Sequence, residues 1–348
     1  MRHPHSLRSD GYDTGVRREQ EQQLIGESPG FLEVLEHVSR VAPLNRPVLV
    51  IGERGTGKEL IAARIHYLSD RWGNPYVKMN CAALAESLLE TELFGHEAGS
   101  FTGAIKRRLG RFELANQGSL FLDELANTSA RVQEKILRVI EYGELERVGG
   151  NDTVRTDVRI IGATHEDLPT LAEQGDFRPD LLDRLAFDVI TLPALRDRPE
   201  DILQLAEHFA VKMAGELGLE LFSGFSEEAR AALLAYDWPG NVRELKNVVE
   251  RAVYSAPEPE KGISRIVFDP FESPWRPGQR AAEPQEAATP GAGPYDFKQH
   301  IQDLETKLIS EALEQCRYNQ KKTAEHLGMT YHQLRGYLRK YDLTDSDG

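Results

Sequence analysis

Two short stretches of this chain combine residue types that handle phosphate. Gly52-Glu53-Arg54-Gly55-Thr56-Gly57-Lys58 reads GxxxxGK, in which glycines let backbone amides turn toward phosphate oxygens and Lys58 reaches the terminal phosphates. The loop follows the apolar run Val48 to Ile51 and precedes the helical segment Leu60 to His66, so a helix N-terminus adds positive potential at the same point. Glu59 stands where most such loops carry a Ser or Thr for magnesium, which moves the demand for a metal ligand onto other carboxylates. Asp123 and Glu124 end a second apolar run, Ser119-Leu-Phe-Leu. There Asp123 would hold Mg2+, directly or through water, and Glu124 would polarise the attacking water, because phosphoryl transfer depends on positioning and charge neutralisation. An acidic pair after a strand says little by itself; together with the loop at Gly52 it becomes specific for a nucleoside triphosphate.

Such a site needs strands to deliver both stretches to one edge. From Leu24 to about Ser255 short apolar runs (Val48 to Ile51, Ser119 to Leu122, Val158 to Ile161) alternate with longer amphipathic stretches, the pattern of an α/β fold with a parallel sheet wrapped by helices. From Gln204 the period becomes purely helical, through Glu207 to Gly215, Glu227 to Tyr236 and Val242 to Tyr254, which predicts a helical lid. The expected organisation is a polar, disordered leader over 1–23 with no regulatory domain ahead of the core, an ATPase α/β subdomain over 24–195, a lid over 196–256, a Pro/Gly/Ala/Glu-rich flexible linker over 257–295 and a small all-α domain over 296–348. In that last segment Ile301, Leu304, Leu308, Ile309 and Leu313 recur at helical spacing, and two shorter helices follow around Gly328.

The chain has 348 residues and an ordinary hydrophobic fraction of 40%, with a net charge of −14 that argues against coating nucleic acid with its whole surface. The acidic total hides a basic tail. Between Arg317 and Tyr341 stand Arg317, Lys321, Lys322, Arg335, Arg339 and Lys340 against Glu325 alone. Cys81 and Cys316 form no CxxC and have no histidine cluster, so both read as reduced thiols rather than zinc ligands. No signal-peptide core and no apolar run of membrane-spanning length is present, which predicts a cytoplasmic protein without membrane insertion.

On these motifs, residues 24–255 resemble the central domain of the bacterial enhancer-binding proteins, the sigma-54-dependent AAA+ activators. The resemblance implies ATP and Mg2+ as cofactors and turns Glu59 into a family feature. Within Gly95-His-Glu-Ala-Gly99-Ser100-Phe101-Thr102-Gly103-Ala104 lies a close match to the family's GAFTGA loop, which contacts sigma-54, with Ser100 in place of Ala. Glycines flanking Phe101 and Thr102 suit a protruding, mobile tip. By the same resemblance Asn80 couples the catalytic Glu124 to that loop, and Thr164 in Gly162-Ala-Thr-His165 is the sensor, with His165 where the family usually has Asn. Arg178 and Arg184 correspond to fingers that act on a neighbouring subunit's nucleotide, a task suited to planar guanidinium groups. Arg243, in Trp238-Pro-Gly-Asn-Val-Arg, is the lid's sensor.

The tail resembles a Fis-type helix-turn-helix. Ala324 and Leu327 pack its first helix, Gly328 makes the turn, Leu334 and Leu338 anchor the second, and Tyr331, His332, Gln333, Arg335, Arg339 and Lys340 are left for DNA. The implied function is a transcription activator that binds enhancer DNA, forms a hexameric ring when active and uses ATP to remodel the sigma-54 RNA polymerase holoenzyme. Tyr67-Leu-Ser-Asp-Arg-Trp72 is similar to the phage-shock branch of the family. Trp72 lies in a polar, turn-forming stretch where an indole suits an interface anchor, and it is assigned to the docking of a trans-acting inhibitory protein. Two other readings stay open: a DNA-binding regulator on the same scaffold that does not engage sigma-54, against which the intact loop at Gly99 argues, and a helicase-loader or chaperone-like ATPase, which would not need the tail.

Overall fold

The computed structural model describes residues 24–341 apart from residues 102, 220–221, 257–261, 272–275, 277–296 and 317. The leader expected over 1–23 and most of the linker expected over 257–295 lie outside the described residues. In chain order the first unit contains α1 (Pro29–Val41), β1 (Val48–Ile51), α2 (Lys58–Tyr67), β2 (Tyr76–Asn80), α3 (Glu86–Phe94), α4 (Arg111–Leu114) and β3 (Ser119–Asp123). It continues through α5 (Ala130–Tyr142), β4 (Glu144–Glu146), β5 (Thr153–Arg155), β6 (Arg159–Thr164), α6 (Leu168–Gln174), α7 (Pro179–Leu185) and β7 (Val189–Thr191). The helices α8 (Pro199–Glu216), α9 (Glu227–Ala235) and α10 (Asn241–Ser255) complete it.

Five strands form a sheet in the order β2-β3-β6-β1-β7, every pair parallel. Side chains along the central strands alternate between two cores, because successive residues of a strand point to opposite faces. Leu49, Leu120, Leu122 and Ile160 pack on one side with residues of α3, α5 and α7. Val48, Val50, Phe121 and Ile161 pack on the other with residues of α1 and α2. Since all five strands run the same way, the ends of β1, β2, β3 and β6 emerge along one edge, where ligands of open parallel sheets bind.

The lid forms around Leu205, Leu233, Leu245, Val249 and a fully buried Trp238, whose Nε1 donates to the Leu233 carbonyl at 2.9 Å. Its first helix begins at Pro199 rather than near Glu207, with Pro at the first position and Glu200 and Asp201 in the first turn. The buried carboxylate of Asp201 accepts from Glu27 N (2.7 Å), Ser28 N (2.9 Å) and Ser28 Oγ (2.8 Å), so it straps the segment before α1 onto the lid. Part of the stretch expected to be linker belongs to this core as well. Ile263 is buried there and the Phe268 ring stacks on Tyr236 at 4.3 Å between centroids.

The second compact unit begins at Phe271 and contains α11 (Phe297–Gln315), α12 (Gln320–His326) and α13 (Tyr331–Lys340). The side chains of Asn319 and Thr330 cap the two short helices by accepting from Lys322 N and Gln333 N. Ile309, Leu313, Ala324, Leu334 and Leu338 make its core. Ile301, Leu304 and Leu308, from the same apolar stripe of α11, remain exposed.

Candidate nucleotide site and interaction surfaces

Between β1 and α2 the backbone turns through Gly55 (φ 82°) and Gly57 (φ 101°), left-handed conformations that favour glycine. A Cβ on Gly55 would sit 2.3 Å from the Gly240 carbonyl, so the loop rests directly on the lid, while nothing lies within 4 Å of a Cβ position on Gly57, whose side is open. Lys58 is almost buried, and its Nζ donates to the carbonyls of Gly52 (2.8 Å) and Glu53 (3.1 Å). Burial pushes its pKa below the usual lysine value, against the pull of Glu124 and Asp123. Glu53 faces the lid: hydrogen bonds from Arg196 (3.0 Å) and Asn241 Nδ2 (3.0 Å) hold its carboxyl at about 2. Asn241 also donates to Arg54 O (3.1 Å) and accepts from Leu195 N (2.7 Å), which bolts loop to lid. Thr56 Oγ1 donates to Glu53 O (2.8 Å), and Glu59 pairs with Lys78 Nζ at 2.9 Å.

Opposite this loop, β3 delivers the acidic pair. Asp123 accepts from Asn80 Nδ2 (3.2 Å) and from Glu124 N (3.0 Å), and burial followed by the Glu124 charge raises its pKa. The strand register sets the first contact, because Asn80 and Asp123 are direct partners across β2 and β3. Asn80 Oδ1 accepts from Ala82 N at 2.9 Å, so its amide is used on Asp123 and on the local turn. Glu124 has φ 52°, a left-handed conformation that is costly for a residue with a side chain. Its Oε2 lies 2.7 Å from His165 Nδ1, and His165 Nε2 lies 3.1 Å from Glu166 Oε1. Thr164 is buried at the end of β6, its Oγ1 accepting from Glu166 N at 3.0 Å.

A cleft of about 720 Å3 joins these groups, polar at Lys58, Asn80, Asp123 and Glu124 and apolar toward Ile25, Phe31, Phe209 and Val242. Arg243 lines it as well, and its backbone N donates to Gly55 O at 3.3 Å. One end therefore suits phosphates and the other a base. Arg198, also in the lining, escaped sequence reasoning: it is buried with its guanidinium 4.9 Å above the Phe31 ring and 3.4 Å from Thr56 O. Only the neighbouring Pro-Glu-Asp, a helix-start signal, marks it in sequence. Arg178 and Arg184 lie outside this lining; they are solvent-accessible and pair within the subunit with Asp180 (3.0 Å) and Glu141 (2.9 Å). Cys81, beside the acids, is buried, and its thiol is pushed up to about 12, first by burial and then by Asp123. Among the described residues no group of three or more His, Cys, Asp or Glu could hold a metal without a ligand's help.

Comparison with known proteins decides the family. Residues 24–191 match the Sigma-54 interaction domain, residues 196–272 the AAA+ ATPase lid domain, and residues 301–341 the Fis family of bacterial regulatory proteins. The chain is 55% identical over 325 residues to the Psp operon transcriptional activator of Escherichia coli K12, covering 93% of this chain and 99% of that protein. The chain belongs to the sigma-54-dependent AAA+ activators. It is also 40% identical to the regulatory protein AtoC of Escherichia coli K12, covering all of this chain and 72% of AtoC. The solved structure of NtrX from Brucella abortus in complex with ATP is similar with a TM-score of 0.68 at 31% identity, covering 94% of this chain and 72% of NtrX. The protein is thus a sigma-54-dependent transcription activator with an AAA+ ATPase core and lid and a Fis-type helix-turn-helix for DNA.

Three further groups of residues expected to make interactions are not among the cleft's lining. The loop from Gly99 to Ala104, expected from sequence to contact sigma-54, folds on itself: Gly99 N donates to Ala104 O (2.7 Å), Ala104 N to Phe101 O (3.0 Å) and Ser100 Oγ to Glu97 O (2.8 Å). Gly103 adopts φ 105° and Thr102 lies outside the described residues. Phe101 is half exposed, its ring edge-on to His96 at 5.0 Å. Arg147, buried, ties the loop's base to the hairpin of β4 and β5 by donating to Glu97 (3.0 Å) and Glu113 (2.9 Å). Trp72 is 68% exposed in the turn after α2. In the tail, His332, Arg335 and Arg339 are exposed on α13, Tyr331 is half buried with its hydroxyl 3.4 Å from Gln320 Oε1, and Gln333 closes the capping box with Thr330. Lys340 pairs with Glu305 at 3.4 Å. Among the described residues no helix is long and apolar enough to cross a membrane.

Proposed function

We propose that this activator hydrolyses ATP at the interfaces of a hexameric ring and uses the energy to remodel the sigma-54 RNA polymerase closed complex from an enhancer-bound position in the cytoplasm. The carrying observation is the convergence of Lys58, the open Gly57 turn and the Asp123–Glu124 pair in one cleft that also has an apolar end. The similar structures of NtrX in complex with ATP and with ADP support an adenine nucleotide as ligand. The donor set fits a metal that arrives with the nucleotide, since a lone Asp123 carboxylate must be completed by phosphate oxygens. When bound, Mg2+ would neutralise charge developing on the transferred phosphoryl group. The residues of Gly52 to Glu59 cradle the phosphates, with Lys58 leaving its carbonyl partners for them. Glu124 orients the attacking water, Thr164 and Arg243 read the nucleotide, and Asn80 links the acidic pair to β2. Arg178 and Arg184, solvent-accessible and away from their own subunit's cleft, serve the neighbouring site.

Movement of the Phe101 loop then engages sigma-54, and Tyr331, His332, Gln333, Arg335, Arg339 and Lys340 hold enhancer DNA. Likeness to the Psp operon activator supports an operon of that kind as target, and the exposed Trp72 is the dock assigned to a PspA-like inhibitor. The test is open-complex formation by sigma-54 holoenzyme with wild-type protein and with Lys58→Ala. ATP-dependent opening by the first alone is expected; opening without ATP, or none by either, defeats the proposal.

A further inference from the structure

Asn241, fully buried at the start of α10, binds two other segments through its side chain. Its Nδ2 donates to Glu53 Oε2 (3.0 Å) and Arg54 O (3.1 Å) in the phosphate loop, and its Oδ1 accepts from Leu195 N (2.7 Å) between β7 and α8. Both amide hydrogens are thus spent on the loop. The backbone has φ 53° here, a left-handed conformation that asparagine adopts more readily than most residues with a side chain. Glu244 closes the same turn from within the lid, its carboxylate accepting from Gly240 N (2.7 Å) and from the Tyr236 hydroxyl (3.2 Å). Glu53, a phosphate-loop residue by sequence, turns its carboxylate to Asn241 and to Arg196 (3.0 Å), and neither Glu53 nor Asn241 is in the lining of the cleft. Arg243, two residues after Asn241, does line it. Its Cβ would lie 3.1 Å from a Cβ on Gly55, and its exposed side chain can turn about several bonds, so the start of α10 sets where its reach begins.

We propose that Asn241 is the positioning residue for Arg243. By joining the phosphate loop, the connection ahead of the lid and the first turn of α10, it fixes the point from which Arg243 reaches the nucleotide, with Glu53 as its anchor on the loop. The lid is held in register with the phosphates by side chains that do not themselves line the cleft. The proposal rests on the reading of Arg243 given above.

The experiment measures affinity for a fluorescent ATP analogue and steady-state ATPase activity in Asn241→Gly, Glu53→Ala and Arg243→Ala, and in each of the first two combined with Arg243→Ala. Glycine accepts φ 53° without strain, so Asn241→Gly removes the side chain and leaves the backbone at ease. Analogue binding should weaken about tenfold in Asn241→Gly and by a smaller factor in Glu53→Ala, as loss of one or two hydrogen bonds does. On top of Arg243→Ala the same substitutions should change affinity less than about twofold, because groups that act through one residue are not additive. A joint that served folding alone would cost the same in both backgrounds. Wild-type affinity in Asn241→Gly, or a full loss repeated in the Arg243→Ala background, overturns the proposal. Should Asn241→Gly unfold on heating well below wild type, Glu53→Ala decides alone, and no loss there, or a loss that persists without Arg243, overturns it. Arg243→Ala by itself separates the two readings: wild-type affinity and turnover remove the assignment of Arg243 and the proposal with it, whereas an impaired Arg243→Ala with additive losses removes only the role of Asn241.

Discussion

Lys58 and Asp123 are pushed in opposite directions by the same burial, the lysine down and the carboxyl up, so each loses some preference for its charged form. A phosphate beside Lys58 and a cation beside Asp123 would restore both. Lys58→Ala is therefore expected to weaken nucleotide binding, whereas Asp123→Ala keeps binding but lowers turnover by about a hundredfold or more, as loss of a charge-neutralising group does. Equilibrium binding and phosphate release measured side by side check the split; full activity in either variant contradicts it. His66 shows burial acting on stability instead. The residue is fully buried, its Nδ1 3.0 Å from Ser119 Oγ and its ring stacked on Tyr76, and burial lowers its pKa to about 4 from 6.5. The unfolded chain binds the extra proton first, so the contribution of neutral His66 is complete above pH 6.5 and is lost as pH falls from 6.5 to 4. The shift corresponds to about 3 kcal/mol. Urea midpoints should fall with acidity more steeply in wild type than in His66→Gln across that window; parallel curves would contradict the prediction.

At the scale of elements, Asp201 joins three pieces that the sequence keeps far apart: the strap before α1, the start of α8 and, through Arg198, the phosphate loop. Arg198 is nearly as buried as Asp201, lies 3.9 Å from it, and has an Nε with no hydrogen-bond partner among the described residues. Removing the carboxylate in Asp201→Ala leaves that charge and three donors unanswered, a loss of about 3–5 kcal/mol. Because Ile25 and Arg198 line the cleft, nucleotide affinity should fall as well; chemical denaturation and ATP-analogue binding report the two effects. The Phe101 loop is the opposite case, since none of its described residues lines the cleft. Phe101→Ala should keep ATP hydrolysis within about twofold while sigma-54 engagement is lost, the signature of coupling without chemistry; native-gel binding to sigma-54 distinguishes the two. Legibility in the sequence followed the same divide between local and distant causes. The strands β1 and β3, the loop at Gly52 and the limits of α11 were readable because buried apolar runs, glycine spacing and helical period are local signals. The strand β2 was missed because Tyr-Val-Lys-Met-Asn is half buried with no clear alternation, and the start of α8 because its first turn buries a carboxylate, Asp201, where a helical period expects an apolar residue. Residues 262–271 read as linker by composition, yet Ile263 and Phe268 find partners only in the folded lid. Lys58, Asp123 and Glu124 were likewise evident from local pattern. The contacts of Asn80 with Asp123 and of His165 with Glu124 depend on strand order and register, which no window of sequence contains.

Across the whole molecule, charge and folding are partitioned together. The net charge of −14 belongs to a chain whose second compact unit carries exposed Lys321, Lys322, Arg335 and Arg339, so a basic surface suited to DNA phosphates is present in the tail of an acidic chain. That unit has its own core of Ile309, Leu313, Ala324, Leu334 and Leu338, while the cleft is lined wholly by residues between Leu24 and Lys246. The cleft and the cores of the first unit are built, among the described residues, without any residue of 296–348. A variant lacking them should therefore unfold at the same temperature as the first unit of the intact protein and keep its ATPase activity at equal protein concentration. Promoter opening is a different matter, because in the proposed mechanism a ring of activators meets a polymerase on one DNA molecule. Tethering to DNA raises the local concentration toward the millimolar range, which free protein at micromolar concentration does not reach. The truncated protein should accordingly open promoters only when added in large excess, and its activity should no longer depend on upstream DNA in the template. Titrating both proteins against templates with and without that DNA measures this. Loss of ATPase on truncation would mean that the two units depend on each other, and equal activity at low concentration would mean that the tail does not serve as the tether.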